Sequence, residues 1–223
     1  MTQRPEVVAF DVVETLFSLE PVGDRMKEVG LAADVMPLWF AGFLRDAMAL
    51  DRAGTYAPFK EVAEATLRVA MANGAVDATD AKIAWVLDAF AELPAHPDVR
   101  PAFARLRAAK VRIVTLTNGS AGNTQKLLER AGLAGYVEKT ISIDEVRHWK
   151  PAPEVYLHAA KSVGVEPAKV ALVAGHAWDV HGAKRAGFVT GWVARKDKIV
   201  SPAIAPPDAS GATLVEVIDH LLG

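Results

Sequence analysis

Between residues 111 and 194 the chain alternates short β-branched runs with amphipathic stretches, a rhythm few architectures accept. "VRIVTLTNG" (111–119) closes on Asn-Gly, "NTQKLLERAGL" reads as a helix ending at Gly132, and "VEKTISI" (137–143) as a further strand. "PEVYLHAAKSVG" (153–164) reads as a helix, "KVALVAG" (169–175) as a strand, "WDVHGAKRAG" as a helix and "VTGWVA" (189–194) as a strand. Parallel neighbours need crossover connections and helices supply them, so the alternation predicts an α/β fold with a doubly wound parallel sheet. In "EVVAFDVVETLF" (6–17), the apolar run Val7 to Phe10 suits a strand buried on both faces, the first of that sheet. Beyond Phe17 the apolar period is helical, over about 36–50, 59–72 and 79–90, with Pro58 suited to a helix start and Asn73-Gly74 to a stop. No strand pattern is visible between Ser18 and Leu93. The expected organisation is a discontinuous core, residues 1–16 and 96–223, with a helical cap inserted at 17–95. "SPAIAPPDASGAT" (201–213) reads as a Pro-rich surface loop before a final helix.

Composition narrows the function classes. With 25 basic and 27 acidic residues the formal charge is −2, without the basic excess that marks nucleic-acid or anionic-membrane binding. No apolar stretch reaches the roughly 18 residues of a membrane span, and "MTQRPEVVAF" lacks the apolar segment of a signal peptide, so a cytoplasmic location is expected. The absence of cysteine excludes disulfides, thiolate metal sites and cysteine nucleophiles.

In an open parallel sheet, ligands bind beyond the carboxyl ends of the strands, at the point where the strand order reverses. Asp11 follows the first strand, Thr117-Asn118-Gly119 the second, and Gly175-His176-Ala177-Trp178-Asp179 the strand at 169–175. Lys150, in "RHWKPAPEVY", precedes a helix marked by two prolines. A carboxylate delivered in this way suits a nucleophile. To stay ionised while partly buried it needs a cation nearby, and Lys150 is the candidate. Backbone amides after Asp11 and around Asn118-Gly119 suit an anionic small-molecule substrate.

The stretches "FDVVETLF", "LTNGS", "WKPAPEVY" and "AWDVHGAKRAGF" resemble the four motifs of the haloacid dehalogenase (HAD) superfamily, whose core is Rossmann-like, and come closest to the type II 2-haloacid dehalogenases. The most specific matches are K-P-x-P-x-x-Y and A-W-D. The resemblance implies that Asp11 displaces halide from C2 of a short haloacid, that water then attacks the carbonyl carbon of the aspartyl ester, and that no metal is required. It further implies that Thr15 hydrogen-bonds near the nucleophile, Thr117 binds the substrate carboxylate, Asn118 faces the halide and Lys150 pairs with Asp11. Tyr156 and Asp179 complete the set, with Asp179 orienting or deprotonating the hydrolytic water. The family often forms homodimers, which makes a homodimer an expectation here.

Departures from the pattern matter equally. Phosphatases of the superfamily carry an acid two residues after the nucleophile to protonate the leaving oxygen; here that residue is Val13. A halide leaves as a stable anion and needs no such acid, which favours dehalogenation. Dehalogenases of this type carry Tyr-Gly where this chain has Val13-Glu14, an Arg where it has Phe40, and Ser and Asn where it has Ala174 and His176. Phe40 is a candidate pocket-lining residue or a packing residue. His176 is either a base or a solvated loop residue, while Glu14 either faces away or pairs with a cation. Arg45 is a conceivable stand-in for the missing Arg. Two alternatives stay open: a magnesium-dependent phosphatase with Asp11, the Val13 carbonyl and Asp179 as oxygen ligands, and a non-catalytic binding protein of the same fold.

Overall fold

The computed structural model describes residues 4–223. The first strand, β1 (Val7–Phe10), runs with all four side chains buried. The chain then leaves the sheet for four helices, α1 (Glu20–Glu28), α2 (Val35–Arg52), α3 (Phe59–Asn73) and α4 (Asp80–Asp88), and returns through α5 (Val99–Ala108). Next come β2 (Arg112–Thr117), α6 (Ala121–Arg130), β3 (Lys139–Ser142), α7 (Pro153–Val163), β4 (Val170–Ala174), α8 (Ala177–Arg185), β5 (Val189–Val193), β6 (Ala209–Gly211) and α9 (Leu214–Leu222). All six strands form one sheet in the order β3-β2-β1-β4-β5-β6, and every pairing is parallel.

That order places β1 in the middle. Phe10 lies opposite Thr115 of β2 on one side and Val173 of β4 on the other. The chain steps outward from β1 to β2 and β3, then crosses back to β4. The reversal therefore falls between β1 and β4, at the carboxyl end of which Asp11 emerges. A central strand has no solvated face, which is why Val7–Phe10 shows no polar alternation. Helices cover the sheet in groups, α5 against α9 and α7 against α8.

Two elements differ from the expectation. Residues 209–211, inside the expected Pro-rich loop, form the edge strand β6 beside Gly191, Trp192 and Val193. Asp208 holds it there, its carboxylate accepting from the Thr190 amide at 2.9 Å and the Thr190 hydroxyl at 2.7 Å. Helix α5, a stretch for which no element is expected, also forms, with Asp98 at its N-cap position but without a side-chain cap bond. Its Asp98 carboxylate instead accepts from Arg195 and from the Leu214 amide, so tertiary pairing fixes that end.

The inserted helices meet the sheet at one place relevant to chemistry. The Trp149 indole N–H donates to the Ala57 carbonyl at 3.0 Å and its amide to Asp51 at 3.0 Å. Phe43 and Phe59 pack on the same indole, at centroid distances of 5.5 and 6.2 Å. These aromatic contacts lie directly beside Lys150. No described helix is long and apolar enough to cross a membrane.

Candidate active site

Strand β1 ends in Asp11, whose two oxygens have different partners. Oδ1 faces the Lys150 ammonium at 3.1 Å, and Oδ2 accepts from the Thr15 hydroxyl at 2.6 Å. Thr15 is itself fixed, since its oxygen accepts from the Gly175 amide at 2.8 Å. The loop after β1 is thereby tied to the loop after β4. Lys150 also donates to Asp179 Oδ2 at 2.8 Å, and the Tyr156 hydroxyl donates to Asp179 Oδ1 at 2.6 Å. The Lys150 amide donates to the Asn118 side-chain oxygen at 3.2 Å. Lys150, Asp179, Thr15 and Tyr156 are fully buried; Asp11 is 7% exposed, so it alone of these five retains an open edge.

Burying an unpaired ion costs several kcal/mol, so the pairing decides the charge states. For Asp11, burial favours the neutral acid, but Lys150, His176 and Thr15 outweigh it and hold the carboxyl well below its ordinary range. Burial likewise opposes the Lys150 charge, and the two aspartates more than offset it. Asp179 goes the other way: burial and the nearby Asp11 charge raise it despite Lys150. The asymmetry makes Asp11 the more readily ionised of the two carboxyls.

The second flank of Asp11 is built from the residues that depart from the resemblance. His176 Nδ1 lies 3.9 Å from Asp11 Oδ2, and its Nε2 lies 3.1 Å from Glu14 Oε2. Lys196 pairs with the other Glu14 oxygen. Glu14 is buried and sits at φ +63°, in the left-handed region that costs a non-glycine residue about 1–2 kcal/mol. Its carbonyl would lie 3.1 Å from a Cβ at Gly175, so the loops after β1 and β4 approach closely here. The imidazole packs beside Trp178 at 5.4 Å and Phe40 at 6.0 Å between centroids. Burial lowers the His176 pKa, but Asp11 and Glu14 prevail and push it up to about 9.

A profile described as haloacid dehalogenase-like hydrolase matches residues 5–187, most of the chain. The chain belongs to the haloacid dehalogenase-like hydrolases. Its similarity to (S)-2-haloacid dehalogenase 1 of Pseudomonas sp. (strain CBS-3) is 31% identity over 86% of this chain and 85% of the relative. Haloacetate dehalogenase H-2 of Moraxella sp. (strain B) is 27% identical over 99% of both chains. The solved L-2-haloacid dehalogenase of Xanthobacter autotrophicus superposes with a TM-score of 0.89 at 25% identity, covering 98% of this chain and 99% of that one.

Within this hydrolase, Asp11, Thr15, Lys150, Tyr156 and Asp179 form one connected hydrogen-bonded group, with Asn118 on its edge. Thr117 stands at the end of β2, and its hydroxyl oxygen accepts from the Gly119 amide at 2.9 Å. It lines a cavity with Val12, Val13 and Phe59. Phe40 lines a different cavity, of about 640 Å³, with Glu14, His176 and Trp178. Arg45, on that cavity's rim, is exposed and bonds its neighbour Asp46 at 2.7 Å.

Arg195 and Lys196 are neighbours of the site that no motif announces. Arg195 donates to the Thr15 carbonyl at 3.0 Å and to Asp98 at 2.8 Å, holding the loop after β1 from behind. Both follow β5 as Asp11 follows β1, so the rule that locates Asp11 could have located them.

The magnesium alternative meets an obstacle in the donor set. Both Asp179 oxygens are engaged by Lys150 and Tyr156, and the ammonium occupies the space between Asp11 and Asp179. Magnesium requires near-octahedral oxygen donors, and among the described residues no cluster of three or more Asp, Glu or His side chains supplies them. Asp11, Val13 and Asp179 as arranged therefore do not fit that ion.

Proposed function

We propose that this protein hydrolyses the carbon–halogen bond of a small 2-halogenated carboxylic acid, yielding the hydroxy acid, through an ester on Asp11. The observation that carries the reading is the Lys150 ammonium bridging Asp11 at 3.1 Å and Asp179 at 2.8 Å in full burial. An ionised carboxylate with one open edge and no water shell on the other is a competent nucleophile toward carbon. An Asp11 oxygen displaces halide from C2, and water then adds to the Asp11 carbonyl carbon, so the carboxylate is regenerated. The apolar Val13, two residues on, suits a leaving group that needs no proton. The same specificity attributed to the relatives, (S)-2-haloacids and haloacetate, defines the substrates to test. In this reading Thr117 and the amides around Asn118-Gly119 hold the substrate carboxylate, while Val12, Val13 and Phe59, which line the same cavity, wall the pocket.

The test is halide release from chloro-, bromo- and fluoroacetate and from 2-chloropropionate, with and without magnesium or a chelator. Release unaffected by chelator is expected. No release from any of the four, or release that depends on magnesium, would overturn the proposal. A homodimer belongs to the same proposal, supported by the exposed Leu38 and Val69 lining one groove between α2 and α3. A light-scattering mass of a single chain would remove it.

A further inference from the structure

Hydrolysis of the Asp11 ester needs a group that takes a proton from water, and beside Asp179 the structure offers a second candidate in His176. The Asp179 oxygens are occupied by Lys150 and Tyr156, and that side chain is sealed from solvent. His176 differs on each point. Its Nε2 is committed to Glu14, which leaves Nδ1 facing Asp11 Oδ2 at 3.9 Å. The cavity of about 640 Å³ reaches both Glu14 and His176 and gives water a route. A base within reach of the reacting centre and itself oriented by an acid is the arrangement that activates water or hydroxyl groups on unrelated folds.

We propose that Glu14 and His176 form the general-base pair of the second half-reaction, with Glu14 as the positioning residue. The proposal rests on the covalent reading of Asp11. A water oxygen bonds to the Asp11 Cγ as one of its protons passes to His176 Nδ1. The bond from Cγ to the alkyl oxygen then breaks, and the leaving alkoxide takes that proton from His176. The acid left on Asp11 gives its remaining proton to solvent, so one hydroxy acid and one proton result per ester.

Charge sets the order of events. The groups nearest the imidazole are Asp11, Glu14 with its partner Lys196, and Lys150 across Asp11, with the uncharged Phe40 and Trp178 beside it and with Arg45, Arg195 and Asp197 lining the same cavity. In the free enzyme the two carboxylates keep His176 protonated up to about pH 9. Ester formation neutralises Asp11 and removes one of them, so the pKa falls and Nδ1 becomes basic only once there is an ester to hydrolyse.

The experiment uses the full chain with bromoacetate, following bromide release and the mass of the Asp11 peptide after acid quench. His176→Gln is expected to release about one equivalent of bromide and then stall as the carboxymethyl ester, with ester decay slowed roughly 10²–10⁴-fold. Glu14→Gln should slow decay less and move its pH profile, because a neutral amide no longer supports the imidazolium. In the wild type, single-turnover ester decay should rise with pH through one ionisation below 9. Steady turnover in His176→Gln within threefold of wild type would overturn the proposal. So would loss of the burst together with turnover, or wild-type ester decay flat with pH, a measurement that needs no variant to fold. Absence of any ester in the wild type would instead sink the covalent reading itself.

Discussion

Replacing Lys150 with methionine removes one ammonium and strands two buried carboxylates, Asp11 at 3.1 Å and Asp179 at 2.8 Å. At an effective permittivity of 20, unit charges 3 Å apart attract by about 5 kcal/mol, so the lost pairing is large. Breaking a buried ion pair by deleting one partner costs about 3–5 kcal/mol. Against a total stability of about 5–15 kcal/mol, that is about a fifth or more. For a chain this size the melting temperature should fall by roughly 6–20 °C. The sign with pH is also fixed. In the wild type Asp11 titrates below its unfolded value, so its contribution is present above the ordinary carboxylate range and lost as pH falls through the depressed pKa. Without Lys150, burial prevails and both acids titrate above their unfolded values. Their contribution then holds at low pH and is lost as pH rises. The deficit of the variant should therefore be present already at pH 4, because wild-type Asp11 is still ionised there, and grow further through pH 7. Urea unfolding at pH 4, 5 and 8 reads it directly, with bromide release as the activity measure. A Lys150→Met protein as stable as wild type at pH 8, or one that still turns over within tenfold, would refute the electrostatic reasoning.

Three further outcomes rest on the same geometry. Because Lys150, His176 and Thr15 hold Asp11 ionised against burial, the bromide burst should keep its rate down to about pH 4; a burst lost between pH 6 and 5 would show that Asp11 is not so stabilised. Gly182→Ala would put a Cβ 2.5 Å from Pro151 Cβ and 2.7 Å from the Tyr156 hydroxyl, costing about 1–3 kcal/mol by overpacking and loosening Tyr156 from Asp179; a variant with unchanged melting temperature and kcat would contradict that close approach. Arg195→Met frees the Thr15 carbonyl and Asp98, so kcat should fall along with a stability loss of about 1–3 kcal/mol; a change in stability alone would remove Arg195 from any role in holding the nucleophile loop.

The sheet and the Asp11–Lys150–Asp179 group are readable from the chain because each rests on local pattern. Parallel strands buried on both faces are short β-branched runs, and the residue after each run lands at the sheet's carboxyl edge. The unreadable parts depend on partners distant in sequence. Strand β6 is only Ala-Ser-Gly in sequence and is held by Thr190 and Asp208, so no apolar run announces it. Helix α5 depends on Asp98 meeting Arg195, 97 positions away. Glu14 looks like a misplaced anion beside the nucleophile; only with His176 and Lys196 folded onto it does it become paired. Phe40 is ambiguous in sequence because helical spacing cannot tell which neighbour a cap side chain meets, and that neighbour is His176.

The central claim is that water reaches product by way of the Asp11 carboxyl. One turnover of bromoacetate with enzyme in excess, run in oxygen-18 water, tests it most directly. The account predicts one heavy oxygen in the peptide carrying Asp11 and none in the glycolate formed. Label found in the glycolate, with an unlabelled Asp11 peptide, would mean that water attacks the substrate itself and would contradict it.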